Sequence, residues 1–158
     1  MKTLNIPNYG EIRIKNIIFD INGTIQFKGK LSEELEDKFK RLLQEYNVYL
    51  VSADTRGNLK YLANELNVNY VKINSMDSSE AQAKNKELEK LGPNETIAIG
   101  NGNNDNLMLK NAIIGIGIIG SEGATMKSLL NSDVIFTNPL DVIDFLMDEK
   151  AIIGTLRT

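Results

Sequence analysis

Apolar residues along this chain fall into short continuous runs separated by longer stretches of helical periodicity. A short unbroken apolar run is what a strand buried on both faces requires. Such runs are Asn16-Ile17-Ile18-Phe19, Val48-Tyr49-Leu50-Val51, Ile97-Ala98-Ile99 and the segments 113–116 and 134–136, and Tyr70-Val71-Lys72-Ile73 is expected as a further strand. Between and after them the pattern predicts helices over 33–46, 55–66, 79–91, 107–111, 124–130 and 139–147. In the first, Leu35, Phe39, Leu42 and Leu43 share a side, Ser32 stands at the N-cap, and Glu33 and Glu34 suit the positive end. Gly92-Pro93 stops the third, and Pro139 suits the first position of the last. Ahead of these, 3–15 predicts two strands turned at Pro7-Asn8-Tyr9-Gly10, an N-terminal β-hairpin. A further small hairpin is expected around Gly29.

Strands alternating with helices specify an α/β fold: one doubly wound, Rossmann-like, mostly parallel sheet with helices on both faces. No linker, repeat or low-complexity stretch interrupts the pattern, so one domain over 1–158 is expected. In such a sheet the ligand crevice lies beyond the C-terminal ends of the strands. Three polar clusters fall at three such ends: 20–24, 52–54 and 101–105.

Composition then narrows the chemistry. The chain has no Cys and no His, which removes disulfides, Ser-His-Asp triads, Cys nucleophiles and the usual zinc and copper sites. A net charge of −3 leaves no basic excess to neutralise a phosphate backbone, so no nucleic-acid partner is expected. No apolar run reaches the ~18 residues of a membrane span. The opening residues also lack the apolar core of a secretory signal, so no membrane partner and a cytoplasmic location are expected. Catalysis would have to run on carboxylates, Lys, hydroxyls, amides or a hard oxygen-bound cation.

The three clusters offer those groups. Asp20 ends a hydrophobic run and precedes Asn22-Gly23-Thr24; it could act as a nucleophile or cation ligand, or simply form a turn. Ser52 could donate its hydroxyl to a phosphate or cap a helix, with Asp54 and Thr55 as competing caps. Lys84 sits among Lys86, Glu87 and Lys90, where a solvated helix face is the ordinary outcome. Gly100-Asn101-Gly102-Asn103-Asn104-Asp105 combines two glycines, three amides and a carboxylate directly after a buried run, more than a plain loop needs. Together they describe phosphoryl transfer: an oxygen nucleophile, a Mg²⁺ site, and hydroxyl, amide and Lys donors around the phosphoryl oxygens.

The order and spacing of DINGT at 20–24, VSADT at 51–55, Lys84 and GNGNND at 100–105 resemble the haloacid dehalogenase-like superfamily. Within it they are most similar to the soluble relatives of the P-type ATPase phosphorylation domain, a likeness that covers roughly 15–147 and continues in NDNLMLKNAIIGIGIIGSEGAT. The resemblance implies a Mg²⁺-dependent phosphatase with Asp20 as nucleophile. Asn22 would stand at the acid–base position, with Ser52 and Lys84 holding and neutralising the phosphoryl group. Gly23, Ala53 and Asn104 would join Ser52 and Lys84 in binding phosphate. Asp20, the Asn22 carbonyl, Asn101 and Asp105 would bind the metal. Spacing favours Lys84 over Lys86. The gaps between motifs are too short for a substrate-selecting cap, and capless members often oligomerise so that a neighbour covers the site. The substrate would then be a small-molecule phosphate ester.

Two departures from the pattern bear on activity. The family phosphatases carry Asp where this chain has Asn22, and Asn does not exchange a proton at neutral pH. The pumps carry Thr there and keep a longer-lived aspartyl-phosphate. The first acid of the G-D-G-x-N-D pattern is Asn101, which keeps an oxygen donor and loses a charge. A catalytically weak or inactive domain that binds a phosphate ligand or a protein partner is therefore the alternative. A phospho-acceptor signalling domain shares the Asp, Ser and Lys, but such domains usually place the acceptor after their third strand.

Overall fold

The structure is a computed structural model and describes residues 1–27, 31–74, 76 and 78–158; the hairpin expected around Gly29 falls partly outside them. Its centre is a six-stranded parallel sheet in the order β5-β4-β3-β6-β7-β8. These strands are β3 (Asn16–Phe19), β4 (Asn47–Ser52), β5 (Asn69–Lys72), β6 (Thr96–Gly100), β7 (Ile114–Ile118) and β8 (Val134–Phe136). Every residue of β3, β6 and β7 is buried, which explains why Asn16 and Thr96, hydrogen-bonded to each other, are the only polar side chains in these three strands. Before them, β1 (Lys2–Ile6) and β2 (Gly10–Ile14) pair antiparallel, with Ile6 opposite Gly10 across the expected turn.

The side-chain alternation of the strands divides the core in two. Ile17, Phe19, Leu50, Ile97 and Ile99 point to one face, where α1 (Glu33–Leu42), α2 (Leu59–Leu66), α6 (Pro139–Met147) and α7 (Glu149–Leu156) pack with the hairpin. Ile18, Val51 and Ala98 point to the other, under α3 (Glu80–Leu91) and α4 (Asn106–Asn111). A short α5 (Met126–Leu130) joins β7 to β8. Because β3 leads outward through β4 to β5, and β6 leads the opposite way through β7 to β8, the order reverses between β3 and β6. Their C-terminal ends therefore flank the crevice where such sheets take ligands.

Several boundaries differ from the sequence pattern. The second helix starts at Leu59 rather than near Thr55, because Asp54 adopts a left-handed φ of 57° and turns the chain first. The first ends at Leu42, with looser turns carrying the chain to β4. A last helix, α7, was not expected: Asp148 breaks off α6 in an extended conformation, and its carboxylate then accepts the Lys150 N–H at 2.9 Å to cap α7. Among the described residues no helix is long and apolar enough to cross a membrane.

Candidate active site

Asp20 follows the last residue of β3, its N–H still donating to the Ile99 carbonyl of β6 at 2.9 Å. The chain then turns tightly on Ile21, whose carbonyl accepts from the N–H groups of Thr24, Ile25 and Gln26. That turn brings the buried Thr24 hydroxyl back to donate to Asp20 Oδ2 at 3.0 Å. Gly23 has φ +79° within the turn, and a side chain there would collide with the Asn101 carboxamide.

The cation comes from α3. Ser79 accepts the Gln82 N–H and receives the Gln82 side chain in return, a reciprocal cap that sets where the helix begins. One turn later Lys84 is 1% exposed, with Nζ 2.5 Å from Asp20 Oδ1 and 2.6 Å from Asp105 Oδ1. Burial by itself lowers the pKa of an ammonium, but the two carboxylates outweigh it and hold Lys84 above its ordinary value. Lys86 lines a separate cavity beside Lys72 and Glu87.

Asp105 lies wholly buried behind Lys84. Its Oδ2 accepts the N–H groups of Asn101 at 3.0 Å and Gly102 at 2.8 Å. Burial and the charge of Asp20 push its carboxyl up to about 6, against the opposing pull of Lys84. Gly100 is required by this packing, since a Cβ there would lie 2.5 Å from Asp105 Cγ. Gly100→Ala is therefore expected to displace Asp105 and cost about 1–3 kcal/mol, in line with overpacking elsewhere. Urea denaturation of the variant checks this, and an unchanged midpoint would contradict the packing argument.

A cavity of about 180 Å³ opens over these groups. That is below the roughly 300 Å³ at which drug-sized sites begin. Its lining takes Asp20, Asn22, Ser52, Ala53 and Thr55 from the ends of β3 and β4 and the loops after them. Glu80 and Lys84 of α3 and Asn101, Gly102 and Asn104 after β6 complete it. Ser52 does not cap α2: its Oγ accepts the Asp54 N–H at 3.0 Å and keeps its own proton to donate. Asp54 does the capping, accepting the Leu59 N–H at 2.9 Å, which together with Lys72 holds its carboxyl below the usual range. Asn22 Oδ1 accepts from Arg56 Nε at 3.0 Å, so the amide nitrogen is what this side chain has left to offer. Asn101 donates its amide to the Gly123 carbonyl at 3.1 Å, and its Oδ1 lies 3.3 Å from the Thr24 hydroxyl as the longer alternative to Asp20.

The structure thus brings Asp20, Asn22, Ser52, Ala53, Lys84, Asn101 and Asn104 onto one cavity, with Asp105 behind it. Gly23 is not on the lining and serves the turn instead. Sequence reasoning missed Thr24, Arg56 and Glu80. Helical spacing could have found Glu80, four residues before Lys84 on α3. Nothing in the sequence singles out Arg56. The oxygen donors here are carboxylate and carboxamide groups, the kind a hard cation takes. Asp20 and Asp105 against Lys84 leave one net negative charge and Glu80 on the cavity wall adds a second, so the set suits such a cation bound together with an anionic ligand. Among the described residues no three of His, Cys, Asp and Glu gather into a cluster that could hold a metal ion.

Solved structures share this architecture. The 3-deoxy-D-manno-octulosonate 8-phosphate phosphatase of Moraxella catarrhalis, solved with magnesium, phosphate and KDO, superposes with a TM-score of 0.70 at 16% identity; the match covers 91% of this chain and 94% of that one. The cobalt-bound deoxy-D-mannose-octulosonate 8-phosphate phosphatase of Haemophilus influenzae gives 0.70 at 13% identity, covering 92% and 94%. A putative HAD superfamily (subfamily III A) hydrolase of Legionella pneumophila gives 0.65 at 16%, covering 89% and 87%. The chain has the haloacid dehalogenase-like fold in its capless form. No family model matches it. By sequence it belongs to one family with an uncharacterized protein of Methanocaldococcus jannaschii, 49% identical over 73 residues, which are 46% of this chain and 78% of that protein.

Proposed function

We propose that this chain is a Mg²⁺-dependent phosphohydrolase that acts on a small phosphate ester through an aspartyl-phosphate on Asp20. One observation carries the reading: a carboxylate at the switch point of a parallel sheet faces a small cavity, held by a buried lysine and a buried hydroxyl. Asp20 attacks phosphorus as the ester P–O bond breaks; water then attacks the same phosphorus and returns Asp20. Lys84, the Ser52 hydroxyl and the Asn104 amide are the donors for the phosphoryl oxygens, with Ala53 beside them. Lys84 remains paired with Asp105 when Asp20 is esterified, so its charge stays in place. A magnesium ion held by Asp20, the Asn22 carbonyl and Asn101, with Asp105 behind them, would neutralise charge on the phosphoryl group. Phosphatases of this fold solved with magnesium and phosphate, or with cobalt, support the choice of reaction and metal. The closer likeness to soluble relatives of the pump domain rests on motif spacing and on the non-acidic Asn22. The missing cap accords with an oligomer in which a second copy covers the cavity mouth. A crystal grown with Mg²⁺ and a fluoroberyllate phosphate mimic tests the reading: the mimic should sit on Asp20, and its absence there would count against the nucleophile.

Asn22 and Asn101 favour a second reading, a domain that binds a phosphate ligand and turns it over little. Two carboxyl groups are missing from the pattern, and the Asn22 amide oxygen is already hydrogen-bonded to Arg56. Asn22→Asp separates the two. Adding an acid is expected to raise turnover of an alkyl phosphate by up to about 10²-fold, with a smaller gain for an aryl phosphate whose leaving group needs little protonation. Arg56 would favour the ionised form of Asp at this position, so the double variant with Arg56→Gln should gain more. Matched steady-state assays with Mg²⁺ titrated check both. Equal inertness of wild type and variants toward a broad ester panel would leave the binding reading standing.

A further inference from the structure

Three residues lining the reaction cavity carry ionisable side chains: Asp20, Lys84 and Glu80. Asp20 is the group to be esterified, and Lys84 is held protonated by its two carboxylates. Asp105 is sealed behind them and does not reach the wall. Glu80 is left. It stands four residues before Lys84 on α3, so the two share a helix face. Its Oε2 accepts from Asn104 Nδ2 at 2.9 Å, which orients the carboxylate, while Oε1 has no hydrogen-bond partner among the described residues. Glu80 and Asn104 also wall a second, more open cavity of about 570 Å³ that runs past Ser79, Asn103, Asn106 and Lys127. The two cavities share these two residues. The carboxylate therefore stands between the phosphoryl site and a broad route for water.

We infer that Glu80 is the general base that hydrolyses the phosphoryl group on Asp20, the task Asn22 is chemically unable to perform; the inference rests on the phosphohydrolase reading above. In this step the Glu80 carboxylate takes a proton from water as the water oxygen bonds to phosphorus. The bond between phosphorus and the Asp20 oxygen breaks, its electron pair returns to Asp20, and inorganic phosphate leaves. Glu80 then releases its proton to solvent. Asn104, which holds Glu80 and faces the same cavity, is the positioning residue for the base.

Para-nitrophenyl phosphate isolates the step, because its leaving group departs without protonation. Glu80→Gln keeps an oxygen for the Asn104 amide and removes the basic carboxylate. With Mg²⁺ present, the variant is expected to release about one equivalent of nitrophenolate per chain in a burst. Its steady rate should then fall by about 10²–10⁴-fold, with acid-stable phosphate accumulating on the protein. Wild type should show no burst. Glu80→Ala should regain turnover with added formate, which a merely structural role would not allow. Equal steady rates for wild type and Glu80→Gln overturn this role for Glu80 and leave the phosphohydrolase reading intact. A burst in wild type as large as in the variant overturns it as well, since no base is then acting. No nitrophenolate from wild type under any Mg²⁺ concentration overturns the phosphohydrolase reading, and this inference with it.

Discussion

Replacing Asp20 by Asn is expected to remove phosphatase activity by about 10⁴-fold or more while the protein stays folded. The chemistry is lost because a carboxamide does not displace an alkoxide from phosphorus. The fold survives because the local bonds can be remade. Asn at this position can turn its oxygen to Lys84 and its amide to the Thr24 oxygen, whose proton then goes to Asn101, already within 3.3 Å. Lys84 keeps Asp105 as its counter-charge. Activity on an aryl phosphate and the thermal midpoint should be measured on one preparation. Most of the activity surviving in a pure, folded variant would remove Asp20 from the nucleophile's place.

Lys84→Met should do the opposite, damaging stability most and in a pH-dependent way. Without the ammonium, Asp20 and Asp105 face one another in a buried site, and breaking a buried ion network typically costs about 3–5 kcal/mol. The sign follows from linkage. Asp105, buried and deprived of its cation, has a folded-state pKa above the unfolded value of about 3.9. Such a group stabilises the fold below the unfolded pKa, and that contribution is lost as pH rises through the folded pKa. Asp105 is already pushed up to about 6 with Lys84 in place, so the variant should be nearly as stable as wild type near pH 4 and fall away above pH 6. In the wild type, the raised pKa of Lys84 adds stability that is present below its ordinary value and is lost only in strong alkali. Urea midpoints measured in chelator from pH 4 to pH 8 give the test. A loss of equal size at every pH would mean that Lys84 contributes packing rather than charge.

The removal of a partner shapes both expectations, and it also marks the boundary between local and tertiary information. Unbroken apolar runs such as Ile17-Ile18-Phe19 and Ile97-Ala98-Ile99 determined buried parallel strands, because a strand covered on both faces has no polar side to show. Caps and breakers were equally local: Ser32 accepts the Leu35 N–H, and Gly92-Pro93 ends α3. The polar clusters at strand ends could be read as one crevice because strand polarity alone puts them on the same edge of a parallel sheet. Strand order came only from the folded chain, since no residue pattern says that β3 lies between β4 and β6 and so makes Asp20 and Asp105 neighbours. Spacing already favoured Lys84 over Lys86, but its burial against Asp20 and Asp105 depends on the inward face of α3, where Ala83 and Leu88 pack on Ile18 and Ala98. The start of α2 was misjudged because Asp54 adopts a left-handed turn that holds the Ser52 loop at the cavity. Arg56 on Asn22 and Glu80 on Asn104 are contacts between side chains 34 and 24 residues apart, and only the assembled sheet brings such pairs within hydrogen-bonding distance.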